Sequence, residues 1–377
     1  MSFTRLRTAA LGLALSIAGA ALADPPQYQI YDIGLVQAGD AGSQGFRVSN
    51  NGVVTGRSLR SGSSSAYSWT VAGGLQTMSN LASPSRPYSV GNGVNDSGVV
   101  VGTGATTAFG SSRLPIMWQG GVATQLGLPS GQTLGDANDV NSFNIAVGSV
   151  GSGVTQFGAI YQGGTGSIIS TTTSNGSYLR TAFSINDSGL IVGQGIDPNN
   201  AAVNVGIVYD MNSNTAYSVG ALSGRNGALA FDVSNAGHVV GSTMLNQGSG
   251  TPFIWTQLGG MVEIALPSGT SSGSARGVNS SGWAVGTASS AFAIPFLYDG
   301  SNTYRIADLV DPSSGWDLST NTSSSAMSIS DSGIIVGTGV FNGSVHAYAL
   351  VPVPEPASMS AMALGVLALI RRRKRQS

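Results

Sequence analysis

Two histidines, His238 and His346, and 17 acidic residues are the only side chains positioned to carry acid–base or metal chemistry, and cysteine is absent. The missing cysteine removes thiol catalysis, cysteine-ligated zinc and disulfide staples. Two distant histidines fall short of the three or four ligands that zinc takes. His238 reads as a solvent-facing strand residue and His346 as packing at a strand start. Glycoside hydrolysis needs two juxtaposed carboxylates. Glu263 and Glu355 are the only glutamates, and Glu355 lies in a terminal Pro-Glu-Pro motif. Candidate aspartates outside the repeat turns include Asp136, Asp139, Asp210, Asp232, Asp308, Asp311 and Asp317, and none forms a recognisable pair. No Gly-x-Ser-x-Gly elbow stands between a strand and a helix. The expectation is a protein without catalytic residues, metal or cofactor.

Two binding chemistries remain. Acidic turns at Asp96, Asp187 and Asp331 suggest calcium, but Asn51, Ser142, Ala236 and Ser281 stand near the equivalent place elsewhere. A calcium loop needs several carboxylates at alternating positions, so these read as turns. Trp69, Trp118, Tyr161, Tyr209 and Trp255 recur at one strand position and read as core. Trp283 and Trp316 are off that position and are the candidates for stacking on a glycan.

Charge is concentrated at the two ends. Charged residues are 9% of the 377, while Gly is 55 of them. From Asp24 to Pro356 the chain holds nine arginines, no lysine and all 17 acids, a net charge of −8. Nucleic acid binding needs clustered cations that this body lacks. Arg5 and Arg7, an apolar run from Ala9 to Ala20 and a small-residue site at Ala21-Leu22-Ala23 read as a signal peptide (residues 1–23). Signal peptidase would then leave Asp24 as the first mature residue.

The other end has three parts: Pro354-Glu355-Pro356, an apolar segment 357–370, and Arg371, Arg372, Arg373, Lys374 and Arg375. Fourteen apolar residues make a helix of about 21 Å, short of a normal span. The cations would hold its far end in the cytoplasm. This tail resembles the PEP-CTERM sorting signal of Gram-negative bacteria. The resemblance implies that an exosortase recognises Pro354, Glu355 and Pro356, and that the membrane helix is a transient anchor.

Between the ends one motif repeats: an aliphatic residue, a small polar turn closing on glycine, aliphatics, then glycine. The cores start at 48, 94, 140, 185, 233, 278 and 329, so the period is about 46 residues. Each repeat reads as four short strands, the size of a propeller blade. Outer strands are expected at Gln125–Leu128 and Glu263–Leu266. The last repeat lacks a fourth strand, and an orphan strand of that type stands at Tyr28–Leu35. The fold expected over 24–351 is therefore all-β: a seven-bladed propeller whose N-terminal strand closes the last blade, with an open β-solenoid as the alternative. Residues 352–377 form the sorting tail.

The repeats resemble the HAF-repeat family of bacterial extracellular proteins, best at 94–102 and 185–193. The family's His-Ala-aromatic element survives only at His346-Ala347-Tyr348; Ser65, Leu114, Thr251 and Ile294 hold the histidine position elsewhere. The resemblance implies an exported surface or matrix protein associated with exopolysaccharide or biofilm. A lectin-like propeller and a polysaccharide hydrolase or lyase are the second and third readings.

Overall fold

A computed structural model of the chain describes residues 25–82, 85–107 and 112–354. The signal segment with Ala21, Ala23 and Asp24 lies outside the described residues. So do Glu355, Pro356, segment 357–370 and the run from Arg371 to Arg375. Among the described residues no helix is long and apolar enough to cross a membrane.

The turn opening each repeat core sets the local geometry. Its closing residue has positive φ throughout: Gly52 (77°), Gly98 (74°), Asn144 (60°), Gly189 (81°), Gly237 (83°), Gly282 (80°) and Gly333 (83°). Only glycine adopts this conformation freely, and asparagine is its best substitute. Ser49 N–H donates to the Val53 carbonyl across the first such turn, at 2.9 Å. Two antiparallel strands therefore leave it.

Strands built this way pair antiparallel with their sequence neighbours. Gly135–Val140, Ala146–Val150, Phe157–Gln162 and Thr165–Ile168 form one four-stranded sheet in that order. The described residues form sheets of four, five and eight strands, and two short 3-10 turns are the only helical segments among them. The eight-stranded sheet is two four-stranded runs joined by one parallel pair, Ser64 with Tyr88. Outer strands at Val122–Gln125 and Gly260–Glu263 start earlier than the sequence suggests. The apolar residues just beyond them turn inward instead: Leu126 N–H donates to Pro115 and Ile264 N–H to Pro252, and both side chains are buried.

The orphan strand is used as expected. Tyr28–Asp32 pairs antiparallel with Ser344–Pro352, from Tyr28 opposite Pro352 to Asp32 opposite Tyr348. His346 does more than pack at a strand start, because its Nδ1 lies 2.9 Å from Asp32 Oδ1 across this seam. The first repeat also packs on the last. Ala347 N–H donates to Ser43 Oγ (3.0 Å), and Val48, Val54 and Trp69 share a core with Val336 and Ala349. An open solenoid would hold its first and last repeats apart.

The second glycine of the motif is fixed by a contact. A Cβ on Gly56 would come 1.9 Å from the Gln44 carbonyl oxygen and 2.6 Å from Tyr67 Oη. The same holds at Gly241, between the Leu229 carbonyl and the Phe253 ring, and at Gly337, between Ser325 and Tyr348. Tyr67 and Tyr348 reach over the glycine and donate to those carbonyls at 2.9 Å. Trp69, Trp118, Tyr161, Tyr209 and Trp255 are buried, none more than 8% exposed. Since the obstacle at Gly241 is backbone, Gly241→Ala should cost about 1–3 kcal/mol by overpacking, read as a lower midpoint in denaturant unfolding. An unchanged midpoint would show that the close packing over this glycine is not needed.

Candidate functional site

The innermost strand of every repeat carries a register irregularity just before the core, for example between Gly45 and Arg47, Ala137 and Asp139, and Ala230 and Asp232. A bulge re-aims the side chain that follows it. Here the re-aimed residues are Arg47, Gly93, Asp139, Ser184, Asp232, Gly277 and Ser328, and they point to a common axis. Arg47 from the first repeat bridges the third and fifth: Nη2 lies 2.5 Å from Asp139 Oδ2, and Nη1 lies 2.7 Å from Asp232 Oδ1. Ser184 Oγ, from the fourth repeat, is 2.8 Å from Arg47 Nη2 and from one oxygen of each carboxylate. Ile185 N–H donates to Asp139, and Val278 N–H donates to Asp232 Oδ2 at 2.9 Å. Gly93 and Gly277 fit because a Cβ would meet Asp139 Cα at 2.5 Å and Ser328 Cα at 2.7 Å.

Burial raises the Asp139 pKa, against the pull of Arg47 and the hydrogen bonds from Ser184 and Ile185. For Arg47, burial acts to lower the pKa, but the two carboxylates outweigh it and the net shift is upward. The cluster is therefore an ion-pair clamp in which Asp139 Oδ2 and both Asp232 oxygens are already engaged.

Above this floor two tiers of turn residues ring the axis. The lower tier is Ser49, Asn95, Asn141, Asn186, Ser234, Asn279 and Ser330, all buried. Each asparagine closes its own turn through Oδ1 and donates from Nδ2 to the same position of the next repeat. Asn95, for instance, accepts from Val99 N–H and donates to the Asn141 carbonyl at 2.9 Å. At five of the seven upper-tier positions the backbone N–H donates to the side chain of the next repeat. Asn50 donates to Asp96 (2.7 Å), Ser142 to Asp187 (2.9 Å), Asp187 to Asn235 (2.9 Å), and Ser280 to Asp331 (2.7 Å). Asp331 N–H then donates to Asn50 Oδ1 at 2.8 Å, so last meets first by the same bond. The tiers enclose a funnel with about 100 Å³ of free volume, where five aspartates face one arginine.

Asp139 and Asp232 thus form the meeting point that sequence reasoning missed, although each stands directly before a repeat core, as Arg47 does. Asp136 instead pairs with Arg113 (2.5 Å). Asp210, Asp311 and Asp317 accept from N–H groups of their own turns, and Asp308 lies in the 3-10 turn Ile306–Leu309. The three turn aspartates Asp96, Asp187 and Asp331 belong to the upper tier, aligned with Asn50, Ser142, Asn235 and Ser280. Trp283 and Trp316 are both half-buried against one apolar cluster. Trp316 stacks on Phe341 with ring centroids 4.9 Å apart and meets Tyr348 edge-on. His238 is half-buried beside Ser234. At the other end Pro354 is exposed, and Val353 N–H donates to the Gln27 carbonyl at 2.8 Å, so the tail leaves from the strand seam.

Residues 352–375 match the PEP-CTERM protein-sorting motif. The chain carries a C-terminal sorting signal. Such a signal implies export and processing by an exosortase. No curated protein matches the chain. Among solved structures it is similar to a prolyl endopeptidase (TM-score 0.50, 10% identity), matching over 74% of this chain but only 42% of that one. It is also similar to the β-propeller domain of the Trilobed protease from Pyrococcus furiosus (TM-score 0.43, 13% identity, 69% and 81% covered) and to a Trypanosoma rangeli sialidase (TM-score 0.37, 9% identity, 89% and 56% covered). The likeness to the prolyl endopeptidase is one of fold alone.

Breaking the clamp from one side leaves buried charge uncompensated. Arg47→Met should lower stability by about 3–5 kcal/mol, and adding Asp139→Leu and Asp232→Leu should recover most of it. The single variant should regain stability on acidification. A carboxyl whose folded pKa is raised contributes stability below its unfolded pKa and loses it as pH rises through the folded value. Thermal midpoints of both variants against pH check the sign. A single variant that is indifferent to pH would contradict it.

Proposed function

We propose that the chain is an exported, non-catalytic surface or matrix protein associated with exopolysaccharide. On this reading signal peptidase cuts after Ala23 and an exosortase acts at Pro354-Glu355-Pro356. The segment 357–370 and the cations from Arg371 to Arg375 serve only as a transient stop. Each four-stranded run counts as one blade, giving a closed seven-bladed ring of HAF type. The observation that carries the non-catalytic reading is the clamp. At the axis the two convergent carboxylates are held by Arg47, Ser184 and backbone N–H groups, so neither is poised for proton transfer to a substrate. The half-buried Trp283 and Trp316 keep part of each indole available, which supports the lectin-like reading second.

Sorting is the direct test. In the producing bacterium, Glu355→Ala should leave the chain in the inner-membrane fraction at its unprocessed mass, while the unaltered chain appears processed at the surface or in the medium. Equal processing of both would remove the exosortase step from this account.

A further inference from the structure

On the end of the propeller away from the asparagine turns, a cavity of about 330 Å³ opens between the first and second repeats. That volume lies within the range of small-molecule sites, roughly 300–1,000 Å³. Three of the body's nine arginines line it: Arg57, Arg60 and Arg113. Two of them are neutralised. Arg60 pairs with Asp40 at 2.8 Å and Arg113 with Asp136 at 2.5 Å. Arg57 has no carboxylate among the described residues. Its Nε donates to Gln44 Oε1 (2.9 Å), and its guanidinium lies 5.8 Å from the centroid of the Phe46 ring. Those two contacts hold the half-buried group in place, and its Nη nitrogens make no hydrogen bond to any described residue. A guanidinium oriented from behind with its fork free matches a carboxylate bidentately. The remaining wall joins an aromatic ring, Tyr88, to apolar Leu59, Val90 and Ala105 and to the hydroxyls of Ser63, Ser64 and Thr103. An aromatic face beside hydroxyls suits a pyranose ring, whose C–H face is apolar and whose edge is polar.

We propose that this cavity binds a carboxylate-bearing sugar unit, with the carboxylate on Arg57 and the ring face on Tyr88. The assignment rests on the exopolysaccharide reading for the source of its ligand and names that polymer as acidic. In a body of net charge −8, this is a local excess of one positive charge. It favours a single anionic group presented at close range over long-range attraction of a polyanion.

Calorimetry on the full chain in mild detergent tests it with three probes: an oligomer of glucuronic acid, the matching glucose oligomer, and inorganic phosphate. Saturable binding of the glucuronic acid oligomer is expected, with the other two at least about tenfold weaker. Arg57→Gln should weaken binding of the glucuronic acid oligomer by about tenfold or more, whereas Glu263→Gln, a remote control, should leave it unchanged. Should Arg57→Gln fail to fold, the preference for the acidic over the neutral oligomer in the unaltered chain still decides. Equal binding of both oligomers, equal binding of phosphate, or no saturable binding by folded protein would overturn the proposal. Co-sedimentation with exopolysaccharide that survives Arg57→Gln would also reject this cavity while leaving the broader association standing.

Discussion

Crowding at the axis is the constraint on which the rest of the structure depends. Bringing the inner strands of all repeats to one line leaves space there for little beyond a few side chains. The bulge before each repeat core aims one residue into that space, and two of those residues are glycines against which a Cβ would meet neighbouring backbone. The remaining volume is filled by one arginine and two aspartates, with serines between. Burying three charges is costly, and the hydrogen bonds from Ser184, Ile185 and Val278 offset part of that cost. What the clamp provides is long-range specification: residues 92 positions apart meet only if the intervening repeats are stacked in order. That role accords with the use of buried polar groups to fix register.

The turn tiers extend the same logic outward. A polar turn on a strand end normally spends its side chain on its own backbone. Here the Asn positions do that with Oδ1 and still have Nδ2 free to grip the next repeat. After Asn141, Asn186 and Asn279 the next residue donates its backbone N–H to the neighbour's carboxylate or amide. Composition follows from this double duty. Aspartate, asparagine and serine interchange at the upper tier because each offers an oxygen or tolerates donating, which explains why the acidic residues recur irregularly. His346 and Asp32 add a cross-strand contact at the seam where the chain's two ends meet, close to where the sorting tail departs.

The all-β architecture is legible because turn glycine and the aromatic-ended strand are local signals. Asn144 in place of glycine was informative for the same reason. The partner of the orphan strand was legible by elimination, since one repeat lacked a strand and one strand lacked a repeat. The axial clamp was not legible as a contact. Asp139 and Asp232 belong to different repeats, and nothing nearby in sequence marks them as partners of Arg47. Their shared offset from the repeat core becomes meaningful only once the repeats surround an axis. The sequence pattern places the outer strands a few residues late, because Leu126 and Ile264 look like strand positions yet turn inward and are buried. The terminal sorting signal was read from its order of parts alone, without help from the fold.

Hydrogen exchange along the full chain tests most directly whether the repeats form a closed, interlocked ring. Amides of the joining strands, Tyr28–Asp32 and Ser344–Pro352, should be protected to the same degree as those of interior strands such as Ala146–Val150, and Arg47→Met should lower protection in the first, third and fifth repeats together. Graded protection that falls toward both ends of the chain, as in a stack with free termini, would contradict the closed ring.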